Sequence, residues 1–270
     1  MQATQTATRT CPNCSAPYEQ TQSYCPSCGQ STHLHRLTVG HILHEFFHAI
    51  FHTDTSILGV IKHLMVRPGH IARAYVDGKR KSLYNPFNFL VVLVALSILI
   101  INLSGVDVFQ AKNGNPVANL MTKHFNLVIF FTVPLTALYT SLLFRKQGVN
   151  FAEAAVLACY TAGERTVFFL LLVIPLMKFF PEHHLAIIWA YLGLYAVYYA
   201  VACLQFTGQR SVLGFFKGLL PTILLQVSLY LLIFLGHSLI PHPEINPYKP
   251  VFWKQALKAL LAILGKVFAR

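Results

Sequence analysis

Charge is what this chain has least of. Only 11% of its 270 residues are charged, against about a quarter in a soluble domain, which excludes an ordinary water-facing surface over most of the chain. Acidic residues are scarcer still: nine Asp and Glu stand against 21 Lys and Arg. No secretory leader is visible, since residues 1 to 10 are polar and no short apolar core follows them, and the first apolar span is expected to act as its own insertion signal. What fills the gap is hydrocarbon. With 55% hydrophobic residues and a mean hydropathy of +0.53, most of the chain is expected in lipid. The formal charge of +12 then reports topology and attraction to anionic lipid in preference to nucleic acid.

The polar part lies at the N-terminus. Residues 1 to 10 have nothing to bury and read as a disordered lead. Residues 11–30 hold Cys11-x-x-Cys14 and Cys25-x-x-Cys28, two pairs separated by ten residues. Paired spacing says metal and not disulfide, and thiolate ligands place this part in a reducing compartment. The two-residue gap brings both sulfurs of a knuckle to one ion, and two knuckles close a tetrahedral structural site, a small zinc ribbon. Gly29 suits the end of the second knuckle, whereas Ser15 stands at the equivalent place in the first. Four thiolates leave no open position for a reacting water.

Residues 34–86 read as an amphipathic connector. Within it, His44-Glu45-Phe46-Phe47-His48 matches the H-E-x-x-H pattern, in which two histidines one helical turn apart hold zinc and the glutamate activates water. No further histidine follows at the spacing of the related proteases. A histidine-rich face on an interfacial helix explains the same residues, leaving His44 and His48 as an accessory metal pair and a membrane metalloprotease as a third reading of function. At the connector's end, Lys79-Arg80-Lys81 puts three positive charges near the membrane surface, where they can hold a lipid headgroup. Asn85-Pro86 starts the first span.

Cys11-Pro-Asn-Cys14, Tyr24-Cys25-Pro-Ser-Cys28-Gly29-Gln30, Arg67-Pro-Gly69, Tyr75-Val-Asp-Gly-Lys-Arg-Lys81 and Tyr84-Asn-Pro86 together resemble a bacterial family of integral membrane proteins of unknown function with an N-terminal zinc ribbon. The resemblance covers about the first hundred residues in detail. It implies a zinc ribbon on a helical membrane domain and no particular mechanism.

Apolar runs of about 20 residues, the length that crosses a bilayer, fall at 87–105, 125–144, 162–181, 185–206 and 218–240, giving five expected spans within a transmembrane domain at 87–240. Residues 151–161 are apolar but short, and read as an interfacial helix leading into the third span. Lys and Arg alternate across these spans: eight lie in residues 1–86 and two in each of the loops 145–150 and 207–217, whereas 106–124 carries two and 182–184 none. This orientation puts the N-terminus in the cytosol of a bacterial inner membrane. Residues 241–270 carry five Lys and Arg and read as a basic amphipathic helix on the surface. The layout of 151–240 is also similar to the Yip family of five-span membrane proteins, which implies a trafficking or organising scaffold.

Glu164-Arg165 interrupts the third apolar run and is expected near the membrane boundary, where the pair can snorkel. Tyr191, Tyr195, Tyr198 and Tyr199 share a helical face. They read either as packing and interhelical hydrogen bonding or, with Glu164 and Arg165, as a polar-lined site. The expected fold is therefore an all-α polytopic membrane protein with a small N-terminal zinc ribbon. The expected role is a non-enzymatic scaffold or adaptor that binds membrane lipids and a cytosolic protein. The runner-up is a transporter or lipid-handling protein with a site among spans three to five.

Overall fold

The computed structural model describes residues 8–33, 36–38, 40, 57–106, 108 and 125–239, with side chains throughout except at 125–127 and 233–239. The His44–His48 stretch and the C-terminal segment 241–270 lie outside the described residues. Two compact units divide the chain, Met1–Tyr230 and Leu231–Arg270; of the second, the structure describes the helical residues up to Leu239.

The chain opens on a two-stranded antiparallel sheet of β1 (Thr8–Thr10) and β2 (Pro17–Glu19), with Arg9 opposite Tyr18. Residues 8–10, expected to belong to a disordered lead, thus form a strand. β-Branched threonines suit an extended ribbon, and the partner strand supplies the ladder. A second hairpin is closed by an isolated bridge between Tyr24 and Ser31.

The remaining described elements are helices. Two short helices, α1 (Ile57–Val66) and α2 (Pro68–Val76), meet at Arg67. Pro68 sits in the first turn of α2, where its missing N–H costs nothing, so the helix starts at the proline itself. Then come α3 (Pro86–Ser104), α4 (Phe125–Leu143), α5 (Phe151–Phe179), α6 (His184–Thr207) and α7 (Val212–Leu239). Asn85 caps α3, its Oδ1 accepting from the N–H of Phe87 and Asn88.

Four of these helices are long and apolar enough to cross a membrane by length and composition: Pro86–Ser104, Phe151–Phe179, Pro181–Thr207 and Val212–Leu232. Among the described residues, four of the five expected spans meet that description. The remaining expected span, at 125–144, is occupied by the 19-residue helix α4, apolar over Val128–Leu143. The outer faces are apolar, with Leu103 at 78% and Phe179 at 75% exposure, a surface that a bilayer would cover.

The third span needs correction. Residues 151–161 are no separate interfacial helix but the first turns of α5, a continuous rod of 29 residues. A capping box starts it: Asn150 accepts from the Glu153 N–H, and the Glu153 carboxylate accepts from the Asn150 N–H. Its most apolar window is 78% buried, against 33%, 28% and 28% in the other three candidate spans, so α5 is the most enclosed of the four. Small residues at Ala152, Ala154, Ala158, Ala162 and Gly163 let the neighbours come close. A π turn at Phe169–Val173 interrupts it, with the Ile174 N–H reaching back to the Phe169 carbonyl. Pro175 has no N–H to offer Leu171, which is what frees the ladder at this point.

The N-terminal segments gather at one end of the bundle. Gly69 of α2 lies on Ala202 and Phe206 near the end of α6, while the Tyr75 hydroxyl accepts from Asn85 at the start of α3. The Tyr160 hydroxyl donates to the Tyr84 carbonyl. Arg36 pairs with Glu153 at 2.8 Å and also donates to the Gly148 carbonyl. Leu37, only 1% exposed, belongs to the main core.

Candidate metal centre and buried polar cluster

The two cysteine pairs form nearly identical knuckles. In the first, the Ser15 N–H bonds the Cys11 carbonyl and the Cys11 N–H bonds the Ala16 carbonyl; in the second, Gly29 bonds Cys25 and Cys25 bonds Gln30 in the same pattern. Closing such a turn demands a left-handed residue. Gly29 takes φ 70° and Ser15 φ 62°, and Ser15 is the one non-glycine residue with positive φ among those described.

The four sulfurs lie within 4.8 Å of one another. Two pairs, Cys11 with Cys28 and Cys14 with Cys25, stand 3.7 Å apart. That is far beyond a disulfide, and it matches the edge of about 3.8 Å required of a tetrahedron with metal–sulfur bonds of about 2.3 Å. Cys11, Cys14, Cys25 and Cys28 therefore fit a metal ion. The Asn13 side chain brings the Cys28 thiol down to about 6, against the cost of desolvation and with help from the Gln30 backbone N–H, which favours the thiolate that a metal needs.

The knuckles also grip the helical domain. Asn13, between the first two cysteines, accepts from the Ser82 N–H at 3.1 Å, and Gln30, just past the last, accepts from the Lys81 N–H at 2.9 Å. Both bonds fall on the basic loop joining α2 to α3. In that loop Lys79 and Lys81 are exposed, and Arg80 is half-buried with its guanidinium 5.8 Å from the centre of the Tyr75 ring. Sequence reasoning singled out the loop and the cysteines but neither Asn13 nor Gln30. A polar residue inside a knuckle carries no signal of what lies across from it.

The second candidate is the interrupting pair in α5. Glu164 is fully buried near the midpoint of the helix, and neither carboxyl oxygen has a hydrogen-bond partner. Residues 151–161 extend the helix on its N-terminal side, and its neighbour Gly163 packs on Phe89 in the first turn of α3. Arg165, half-buried, turns its guanidinium to the Tyr195 ring at 4.9 Å and lies 3.5 Å from the Thr132 hydroxyl. Tyr195 is buried. The Tyr198 hydroxyl is engaged elsewhere, donating to the Leu64 carbonyl of α1 at 3.0 Å, while Tyr191 donates to the Arg165 carbonyl and Tyr199 pairs with Thr140. The structure thus gives the tyrosines their packing and interhelical bonding role, and brings Arg165 and Tyr195 together beside Glu164. Around the π turn, an apolar groove of about 300 Å³ lies between α5 and α6, lined by Leu172, Leu176, Ile187, Tyr191 and Leu194.

A family model described as a protein of unknown function (DUF3667) matches residues 54–98. The match covers α1, α2, the basic loop and most of α3, and stops short of both the cysteine knuckles and Glu164. Comparison with curated proteins and with solved structures finds no match.

Proposed function

We propose that this chain is a non-enzymatic membrane adaptor of the bacterial inner membrane, whose N-terminal module holds a structural Zn2+ in the cytosol and presents a docking surface fixed to the helical bundle. The observation that carries this reading is the clamp: the knuckles bond the backbone at Lys81 and Ser82, so the metal module is a built part of the bundle's end. Four thiolates in tetrahedral array favour zinc and leave no open coordination position, which supports a structural role. The positive charges of Lys79, Arg80, Lys81, Arg145, Lys146, Arg210 and Lys217 lie in segments at that same end, which supports a cytosolic orientation and contact with anionic lipid headgroups. On the module's outer hairpin Tyr24 is 66% exposed, the kind of aromatic that anchors protein interfaces.

Metal analysis and cross-linking of the full-length protein test the proposal together. About one zinc per chain is expected, lost in C25S. A photo-reactive phenylalanine analogue in place of Tyr24 is expected to trap one discrete cytosolic protein, and the adduct is expected to vanish in the C25S background. Zinc well below one per chain in metal-replete protein overturns the metal assignment, and an adduct that survives C25S overturns zinc-dependent docking.

A second reading, a transporter or lipid-handling protein with a site among the later helices, is favoured by the unpaired Glu164 beside Arg165 and Tyr195, and by the apolar groove that abuts them through Tyr191.

A further inference from the structure

We propose that Glu164 is a proton-binding site at the centre of the bundle, holding a proton in the resting protein and releasing it against the charge of Arg165. Burying an ionised carboxylate with no partner is among the costliest arrangements in a protein interior. Both oxygens of Glu164 are in that position, and an uncharged carboxyl removes most of the cost.

Among the described residues nothing else stands ready to neutralise it. Helix α3, packed along α5, carries no titratable side chain, and α4 carries only Tyr139. On α1 and α2, Lys62, His63, His70 and Arg73 are exposed, Arg73 pairing with Asp77 and lying over the Phe206 ring, and buried Tyr75 pairs its hydroxyl with Asn85. From α6 come Tyr195, Tyr198 and Tyr199, of which the last two have committed hydroxyls, and buried Cys203. On α5 itself Cys159 and Tyr160 are buried, Tyr160 donating to Tyr84, and Glu153 is paired with Arg36 at the helix start. The remaining charge is Arg165, held over the Tyr195 ring and not within ion-pair distance of Glu164.

A proton fits this site better than a metal cation. A hard cation needs several oxygen ligands, whereas here a single carboxyl stands with no polar partner among the described residues. Arg165 instead supplies the counter-charge that lets the proton leave: its contacts are one ring face and one long hydroxyl contact, both replaceable by the carboxylate. The π turn a few residues on gives α5 a soft point of the kind often found at functional sites.

The site deepens the transport reading and rests on the same polar cluster, so binding and flux are measured separately. Full-length protein in lipid vesicles is treated with dicyclohexylcarbodiimide across a pH series. The reagent adds to a protonated carboxyl in apolar surroundings, the acid proton going to a carbodiimide nitrogen and the carboxyl oxygen to its central carbon. An adduct on the Glu164 peptide is expected at neutral pH, fading as pH rises, and absent in E164Q, the isostere of the neutral acid. In R165Q, losing the positive neighbour favours the protonated form, so the fading moves to higher pH by about one unit or more. No adduct on folded wild-type protein, or a pH course unmoved in R165Q, overturns the site. Dissipation of an imposed pH gradient by wild type and not by E164Q supports transport. Adduct formation without dissipation leaves the proton site standing and removes the transport reading.

Discussion

Ser15 shows how a single side chain sits against the geometry its neighbours impose. The knuckle turn requires a left-handed residue, and the twin knuckle uses Gly29. A side chain in that region costs about 1–2 kcal/mol, and glycine gives back about 0.5–1 kcal/mol through the freedom it gains when unfolded. S15G is therefore expected to stabilise the metal-loaded module by up to about 1 kcal/mol, read as slower metal loss to a competing chelator with unchanged zinc content. A faster loss would mean that the Ser15 side chain makes a contact worth more than its strain.

Between elements, the closest approach is that of α2 to α6. A Cβ on Gly69 would lie 2.1 Å from the Ala202 carbonyl oxygen and 2.6 Å from the Phe206 nitrogen, both backbone atoms that cannot swing aside. The Gly69 N–H also donates to Gln205 at 3.0 Å. G69A is expected to lift α2 off α6 and to destabilise the protein by at least the roughly 1–3 kcal/mol of an overpacked contact. Thermal unfolding in detergent measures it, and a melting temperature equal to wild type would show that α2 does not dock on α6 in solution. The Tyr198 bond to the Leu64 carbonyl ties α1 to the same helix, so the two connector helices are expected to loosen together.

Across the whole molecule, metal and membrane domain are coupled through two hydrogen bonds. Each is worth about 0.5–1.5 kcal/mol, so stripping the metal is expected to free the Lys79–Lys81 loop and speed tryptic cleavage there by roughly tenfold or more. Helical content is expected to hold, because the bundle core contains none of the cysteine ligands. Unchanged cleavage in C25S would uncouple the two. Protons compete with the ion for the sulfurs, so zinc content is expected to fall as pH is lowered. With Cys28 held down to about 6, the metal-free module already carries that thiolate at neutral pH, and loading is expected to release fewer than four protons per zinc.

What could be read from residues alone was local or set by length. Cys11 to Cys28 declare a metal site because ligand spacing along the chain fixes how two sulfurs reach one ion. The start of α3 at Asn85-Pro86, the helix from Phe125 and the helix ending near Thr207 follow from caps and apolar length, which need no partner. The Asn150-x-x-Glu153 box was also present in the sequence, and it marks the true start of α5. The tertiary structure alone decided what covers each segment. Hydropathy averages over a window and does not distinguish a flank covered by lipid from one covered by protein, so residues 151–161 read as interfacial when they are the most enclosed part of the bundle. The same averaging conceals that protein encloses Glu164. Its burial, and the grip of Asn13 and Gln30 on Ser82 and Lys81, depend on residues more than fifty positions away in the chain, which only packing brings together.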